Sequence, residues 1–353
     1  MTRFIGNRIG NLPSSDGYAG GGLFNTIQHL YYKQQNDWGR FTVSHSGEDL
    51  KIPYSTAGDG YNYLIYTGGG SLSVDEGFAT IECMIVAGGG AGGRGSEPGQ
   101  SSGGGGAGGF RSGSLFLEPG TYPISIGAGG APAGSPTGPN PGEPSYISGP
   151  PNFASFESTG GGRGGGQQSY FAAPTGFALP GGSGGGGCSY SPFYDDVPSS
   201  GGAGNSPSVS PPQGTAGASG DFHPNSSADH YGGGGGGAGR AGLIYSGGYG
   251  RAYPFSYSVL PTSYGTPGPT DSEPPTARWF AGGGSGGRSD PNTTFTSGQT
   301  GGAGGGGDGS TPPSFPFTNG TANTGGGGGG HRAPGFSGSG GSGIIILRYK
   351  ENT

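Results

Sequence analysis

The segment DFHPNSSADH sets Asp221, His223, Asp229 and His230 within ten residues, and imidazole with carboxylate is the donor set of a divalent metal site. No flanking pattern fixes a coordination geometry, and an exposed polar loop has the same composition, so no metal is expected. Asp195-Asp196 reads as a solvated turn. Matches to G-x-G-x-x-G arise by composition alone in a chain with 93 glycines. A phosphate-cradling loop needs a Gly-Lys pair, and none of Lys33, Lys51 and Lys350 follows a glycine. A nucleophile elbow occurs only in degraded form around Gly338 to Gly340, and five scattered histidines give a hydrolase triad no anchor. Cys83 and Cys188 form one bridge at most. These residues predict a chain that is not an enzyme and takes no cofactor.

The residue types left for recognition are aromatic. Tyr170 and Phe171, then Tyr249, Tyr253, Phe255, Tyr257 and Tyr264, then Phe315 and Phe317 stand among Ser, Asn, Gly and Pro. That mixture matches a paratope, where aromatic rings give contact area at small entropic cost and small polar residues adapt their hydrogen bonds. Trp279 and Phe280 read as caps on a neighbouring glycine run.

Something rigid must present such loops, and composition limits what it is. Of 353 residues 93 are Gly and 31 Pro, hydrophobic residues make up 28% and charged residues 10%. Ordinary domains hold about 45–50% and 25%, so most globular classes are excluded. The net charge of −6 leaves no electrostatic footprint for nucleic acid. The longest aliphatic runs are too short to span a bilayer, and the N-terminus lacks the apolar stretch of a signal peptide.

Residues 1–57 have nearly normal composition, and Phe24, Ile27, Leu30 and Tyr31 fall at helical spacing before a stop near Trp38. This predicts a short N-terminal helical segment, with the glycine-rich domain over 58–353. Apolar or β-branched runs bounded by Gly and Pro predict strands within 61–87, 110–158 and 343–349. They suit a jelly-roll-like β-sandwich closed by the C-terminal strand, because Ile344 to Leu347 needs burial on both faces.

Eight glycine-dense runs of similar length separate these strands: 88–93, 103–109, 160–166, 181–187, 232–239, 282–287, 301–307 and 325–330. A linker has no reason to keep such a length, whereas rods side by side must match. Extended left-handed helices have three residues per turn and no internal hydrogen bonds, so burying them requires partners on neighbouring rods. Only glycine lets the backbones approach. The fold expected is mostly β and irregular, a β-sandwich with an inserted bundle of polyglycine II helices. Ala91, Ala107, Ala238 and Ala303 are expected at the bundle edge. Strict alternation of eight rods puts loops 94–102, 167–180, 240–281 and 308–324 at the far tip, and 110–159, 188–231 and 288–300 at the sandwich.

The segments IECMIVAGGGAGG, GGGGAGGFRSGSLFLEPGTYPISIGAGG, FASFESTGGGRGGG and GGSGIIILRYK resemble the glycine-rich domain of structural proteins of tailed bacteriophages, marine and cyanobacterial ones among them. The likeness covers roughly 60–166 and 325–350. GGGLFNTIQHLYYKQQNDWG resembles the short segment that precedes that domain in phage proteins. The resemblance implies a virion structural protein, made in the host cytoplasm and placed at a tail fibre or tip. Phe24, Ile27, Leu30, Tyr31 and Trp38 would then attach it to other virion proteins, and the tip loops would contact a host cell-surface receptor. A homotrimer is implied by analogy with fibres; a capsid-decorating, head-fibre or neck/tail-accessory protein is one alternative, and the glycine and proline content leaves a disordered low-complexity interaction protein as another. Neither nucleic acid nor membrane insertion is implied.

Overall fold

The computed structural model describes residues 41–95, 101–132, 140–166, 177–189, 199–222, 230–244, 246–270, 272, 274, 276–289, 299–311, 316–332 and 336–350. The N-terminal segment with Phe24, Ile27, Leu30, Tyr31 and Trp38 lies outside them. The described chain is mostly β, with several antiparallel sheets and one short helix, α1 (Tyr54–Ala57).

Two five-stranded sheets hold the apolar core. The first has the order β1 (Thr42–Ser46), β4 (Gly70–Glu76), β7 (Gly120–Ser125), β8 (Ser145–Ile147), β9 (Phe156–Ser158). The second has β2 (Leu50–Ile52), β3 (Asn62–Tyr66), β16 (Ile344–Tyr349), β5 (Ala79–Val86), β6 (Phe110–Leu117). Because side chains alternate across a strand, the second sheet splits its residues between two cores. Leu64, Tyr66, Cys83, Ile85, Ile345 and Leu347 join Leu72, Val74, Tyr122 and Ile124 of the first sheet in one buried cluster. Tyr63, Ile65, Met84, Val86, Ile344 and Ile346 turn the other way into a second cluster. The other face of the first sheet is polar, with hydroxyl pairs such as Ser46–Ser71 and Ser73–Thr121. The sheets begin at Phe41, which is fully buried, so the expected boundary at 57 cuts through them: β1 and β2 pair inside the two sheets.

The second cluster is closed by residues 251–281. β12 (Arg251–Ala252), β13 (Thr266–Pro267) and β14 (Arg278–Phe280) form a three-stranded sheet, and Tyr253, Leu260 and Phe280 are buried in that cluster. Arg348 stacks on Tyr61 and Phe255 at 4.4 and 4.6 Å and pairs with Glu82, fastening the segment to β16. A second small sheet joins β10 (Asp221–Phe222), β11 (His230–Tyr231) and β15 (Arg288–Ser289).

The glycine runs form no named strands along their length, yet their amides are paired from run to run. In tract 103–109, Gly103, Gly106 and Gly109 donate to Gly165, Gly162 and Thr159, Gly104 and Ala107 to Gly233 and Gly236, and Gly105 and Gly108 to Gly328 and Gly325. The acceptor tract thus changes with a period of three. Its carbonyls in turn accept from Gly93 and Gly90, from Gly186 and Ser183, and from Gly284. The six surrounding tracts are also bonded to one another in a closed ring, through Gly161 to Gly88, Gly162 to Ser183, Gly233 to Gly187, Gly235 to Gly284, Gly327 to Gly282 and Gly328 to Gly90. Backbone packed on backbone leaves no room for a side chain. A Cβ at Gly105 would stand 2.1 Å from the Gly90 oxygen, and one at Gly235 would stand 2.0 Å from that of Gly105.

Further tracts line this ring, among them 127–131, 140–143, 177–180, 199–204, 213–220, 240–244, 246–250, 316–321 and 336–343. The run 301–307 is itself divided by a turn at Ala303–Gly305. Counting these, the chain leads away from the two large sheets and returns in turn. Alternation among the eight dense runs alone does not hold: 103–109 and 232–239 run the same way. The loop assignment is corrected accordingly. Residues 240–244 and 246–250 are a pair of tracts, and 251–270 and 276–281 sit on the second sheet, while 188–189 and 288–289 end outgoing tracts rather than approaching the large sheets. The alanines are corrected too. Ala91, Ala107 and Ala238 are fully buried, and the last two pack into the second cluster; only Ala303 is partly exposed.

Several buried groups in this core are sensitive to alkali, Cys83 and Tyr63 among them. Burial pushes the Cys83 thiol from 9.0 up to about 12. Burial, helped by its bond to the Asp59 carboxylate, pushes the Tyr63 hydroxyl from 10.0 up to about 12. The folded chain keeps protons there that the unfolded chain releases, so this stabilisation is intact below about pH 9 and is lost as pH rises towards about 12. Melting temperatures across the alkaline range should fall from about pH 9 upward; a melting temperature that rises there contradicts the assignment.

Candidate binding surface at the far end of the glycine tracts

Opposite the large sheets, outgoing tracts end at Arg94, Ala131, Gly166, Cys188, Gly220, Ile244, Gly287, Thr311 and His331, and the chain resumes beside them. Serine hydroxyls knit this end. The Ser102 hydroxyl lies 2.7 Å from the Gly93 oxygen and 2.6 Å from that of His331, Ser101 donates to the His230 carbonyl at 2.7 Å, and Ser337 to that of Gly92 at 2.6 Å. Each hydroxyl ties the start of one tract or strand to a carbonyl of a neighbouring segment. The Arg288 guanidinium stacks on Tyr231 at 4.6 Å and donates to its hydroxyl at 2.7 Å. Phe317 stands edge-on to His331 at 5.1 Å.

Upon this polar framework stand exposed apolar side chains: Phe177 (42%), Leu243 (44%), Ile244 (37%) and Phe336 (62%). Each lies where a tract starts or ends. Sequence reasoning did not single them out, although Leu243-Ile244 is an aliphatic pair in a stretch otherwise made of Gly, Ala, Ser and Tyr.

The predicted aromatics divide. Phe317 is at the far end and half-buried. Tyr170, Phe171 and Phe315 lie outside the described residues. The others are at the sheet end, which corrects their expected place at the tip. Tyr253 is fully buried, edge-on to Phe255 at 5.3 Å, and burial raises its hydroxyl pKa; it is core, and no surface role is left for it. Phe255 and Tyr264 are half-buried against the same cluster. Tyr249 and Tyr257 are exposed, the former under the Arg240 guanidinium at 5.3 Å. Phe280 is a buried cap, as expected.

Among the described residues no group of three or more His, Cys, Asp or Glu side chains could hold a metal; His223 and Asp229 lie outside them. Cys83 and Cys188 are both buried and unbridged, Cys83 between the large sheets and Cys188 where an outgoing tract ends. No helix among the described residues is long and apolar enough to cross a membrane.

A family profile described as a glycine-rich domain matches residues 66–350, from the end of β3 through β16. The chain belongs to the glycine-rich domain family. The match takes in the tracts, the far end and most of the two large sheets. Among curated proteins no match to the chain was found.

Proposed function

We propose that the chain is a non-enzymatic structural protein of a bacteriophage virion, a tail-fibre or tail-tip adhesin. In this reading the two five-stranded sheets are a β-sandwich, and the tracts are polyglycine II helices in a hexagonal bundle. The three-residue rotation of acceptors and the closed ring of six tracts around 103–109 support that assignment. The sandwich and the N-terminal segment, with Phe24, Ile27, Leu30, Tyr31 and Trp38, attach the protein to other virion proteins. The far end meets the host cell surface.

The observation that carries the reading is the segregation of the two ends. Apolar burial is concentrated at the sheets, while the far end offers Phe177, Leu243, Ile244 and Phe336 to solvent on a lattice of backbone hydrogen bonds. Rigid presentation of apolar side chains lowers the entropic cost of contact. Replacing these four residues together by Ser should abolish adsorption of virions to the host while leaving the melting temperature within a few degrees. Unchanged adsorption overturns the adhesin role, and immunogold label on the capsid rather than the tail moves the protein to a decorating position.

A further inference from the structure

We propose that β6 is a self-association edge, through which two copies of this chain pair antiparallel about a two-fold axis at Ser114. The inference does not depend on the function proposed above. β6 closes one side of the second sheet and is eight residues long, with Ser112, Gly113, Ser114 and Phe116 exposed. A free strand edge presents unpaired N–H and C=O groups, and natural sheets blunt such edges with short strands, lysine, proline or bulges. The other three edges here are blunted. β2 and β9 have three residues each, with exposed Lys51 and Glu157, and the β1 register is irregular at Thr42–Val43. From Ser112 to Leu117, β6 has no charge, no proline and an unbroken register with β5. Its one cation, Arg111, is turned aside, stacked on Phe156 at 4.3 Å and donating to the Glu157 carbonyl.

The direction of the free groups follows from the ends of the strand. The Phe110 amide donates away from β5, to the Gln213 carbonyl, whereas the neighbouring Gly109 carbonyl accepts from Ala87 on the β5 side. Groups alternate along a strand, so Ser112, Ser114 and Phe116 aim their N–H and C=O at the open edge. Three donors and three acceptors at every second residue are self-complementary in one register. With Ser114 opposite Ser114 of the second copy, Ser112 meets Phe116 of that copy and Phe116 meets its Ser112, and all the groups pair. Moving the axis to Gly113 would set Phe116 against Phe110, whose amide is already engaged. Side chains also agree, since Ser112, Ser114 and Phe116 share the outer face and each exposed phenyl ring would lie over a serine rather than a charge. The product is one sheet running through both copies, closed by symmetry and unable to grow further.

The full chain in solution, weighed by light scattering after size exclusion, should have twice the monomer mass. Ser114→Pro removes one edge donor that has no partner among the described residues and should return the mass to that of one chain, with melting of the monomer retained. Ser112→Lys, which adds only a charge at the same edge, should do the same and covers the case in which the proline variant fails to fold. Ser114→Cys should form an intermolecular disulfide, because directly opposed residues of a hydrogen-bonded pair lie about 5.5 Å apart, within disulfide range; Ser112→Cys, facing Phe116 of the other copy, should not. A monomer at micromolar concentration overturns the proposal. So do a trimer, a dimer that both edge variants leave intact, or a monomer that captures an extended peptide at β6.

Discussion

Gly105→Val should abolish folding. Gly105 lies in the tract that six others surround; its amide donates to Gly328, its carbonyl accepts from Gly284, and a Cβ would overlap the Gly90 oxygen and carbonyl carbon at 2.1 and 2.7 Å. The obstruction is backbone, so no rotamer change relieves it. Displacing one neighbour also breaks its bonds to the next in the ring, and buried amides left without acceptors each cost about 1–3 kcal/mol. The loss expected is beyond about 4 kcal/mol, in the extreme tail for single substitutions. Gly68→Ala is the contrast, since nothing lies within 4 Å of a Cβ there. Soluble yield and thermal melts check the pair, and amide exchange in the native protein should show Gly103 to Gly109 uniformly protected. A folded Gly105→Val protein would mean that these tracts do not support the structure.

The same packing explains which parts of the architecture were legible in the sequence. Seven of the eight dense runs are the central tract and its six neighbours; buried on every side, they need glycine at nearly every position. The outer tracts touch the ring on one side and need it only where they face inward. In GTAGASG, Gly214, Gly217 and Gly220 would clash with Gly182, Gly185 and Cys188, while Ala216 and Ser219 are exposed. A three-residue glycine period over so short a stretch looks like loop composition, so the dense runs alone do not reveal these tracts or the ends of the bundle at which they turn. The strands were legible where apolar residues run together, as in β3, β5 and β16. β1 and β4 alternate serine with their inward residues, and β8 is three residues long with Ser145 on its buried face, so none of them offers an apolar run to read. The aromatics of 249–264 were ambiguous for a different reason. A tyrosine amid glycine and serine suits a contact loop as well as a core, and the difference lies in the second apolar face of β3, β5 and β16, which 251–281 covers. At the far end Phe177 and Phe336 are single residues, and only the tract termini beside them mark their position.

Removal of residues 344–353 should leave a chain that cannot fold. β16 is the last strand among the described residues and occupies the centre of the second sheet, paired with β3 on one side and β5 on the other. Ile344, Ile345, Ile346 and Leu347 are fully buried, alternately in the two clusters. Burying such side chains contributes about 1.5–3 kcal/mol each, so the four together are comparable with the ~5–15 kcal/mol that holds a whole domain. The loss is more than additive here, because deletion opens two strand edges and uncovers the cluster on which 251–281 rests. A chain ending at Gly343 should be recovered aggregated or without a cooperative melt. Single substitutions then separate the two cores: Ile346→Asp places a charge under Tyr253 and Phe280, whereas Leu347→Asp places it between the large sheets. Since β3 and β5 lie more than 250 residues before their partner, the second sheet cannot close until all the tracts have been synthesised. The ring of tracts likewise closes only on 325–330, just ahead of β16, so bundle and sheet are completed by neighbouring segments. Pulse-labelled exchange during refolding should show tract amides protected no later than those of β16, and earlier protection of β16 would reverse this order.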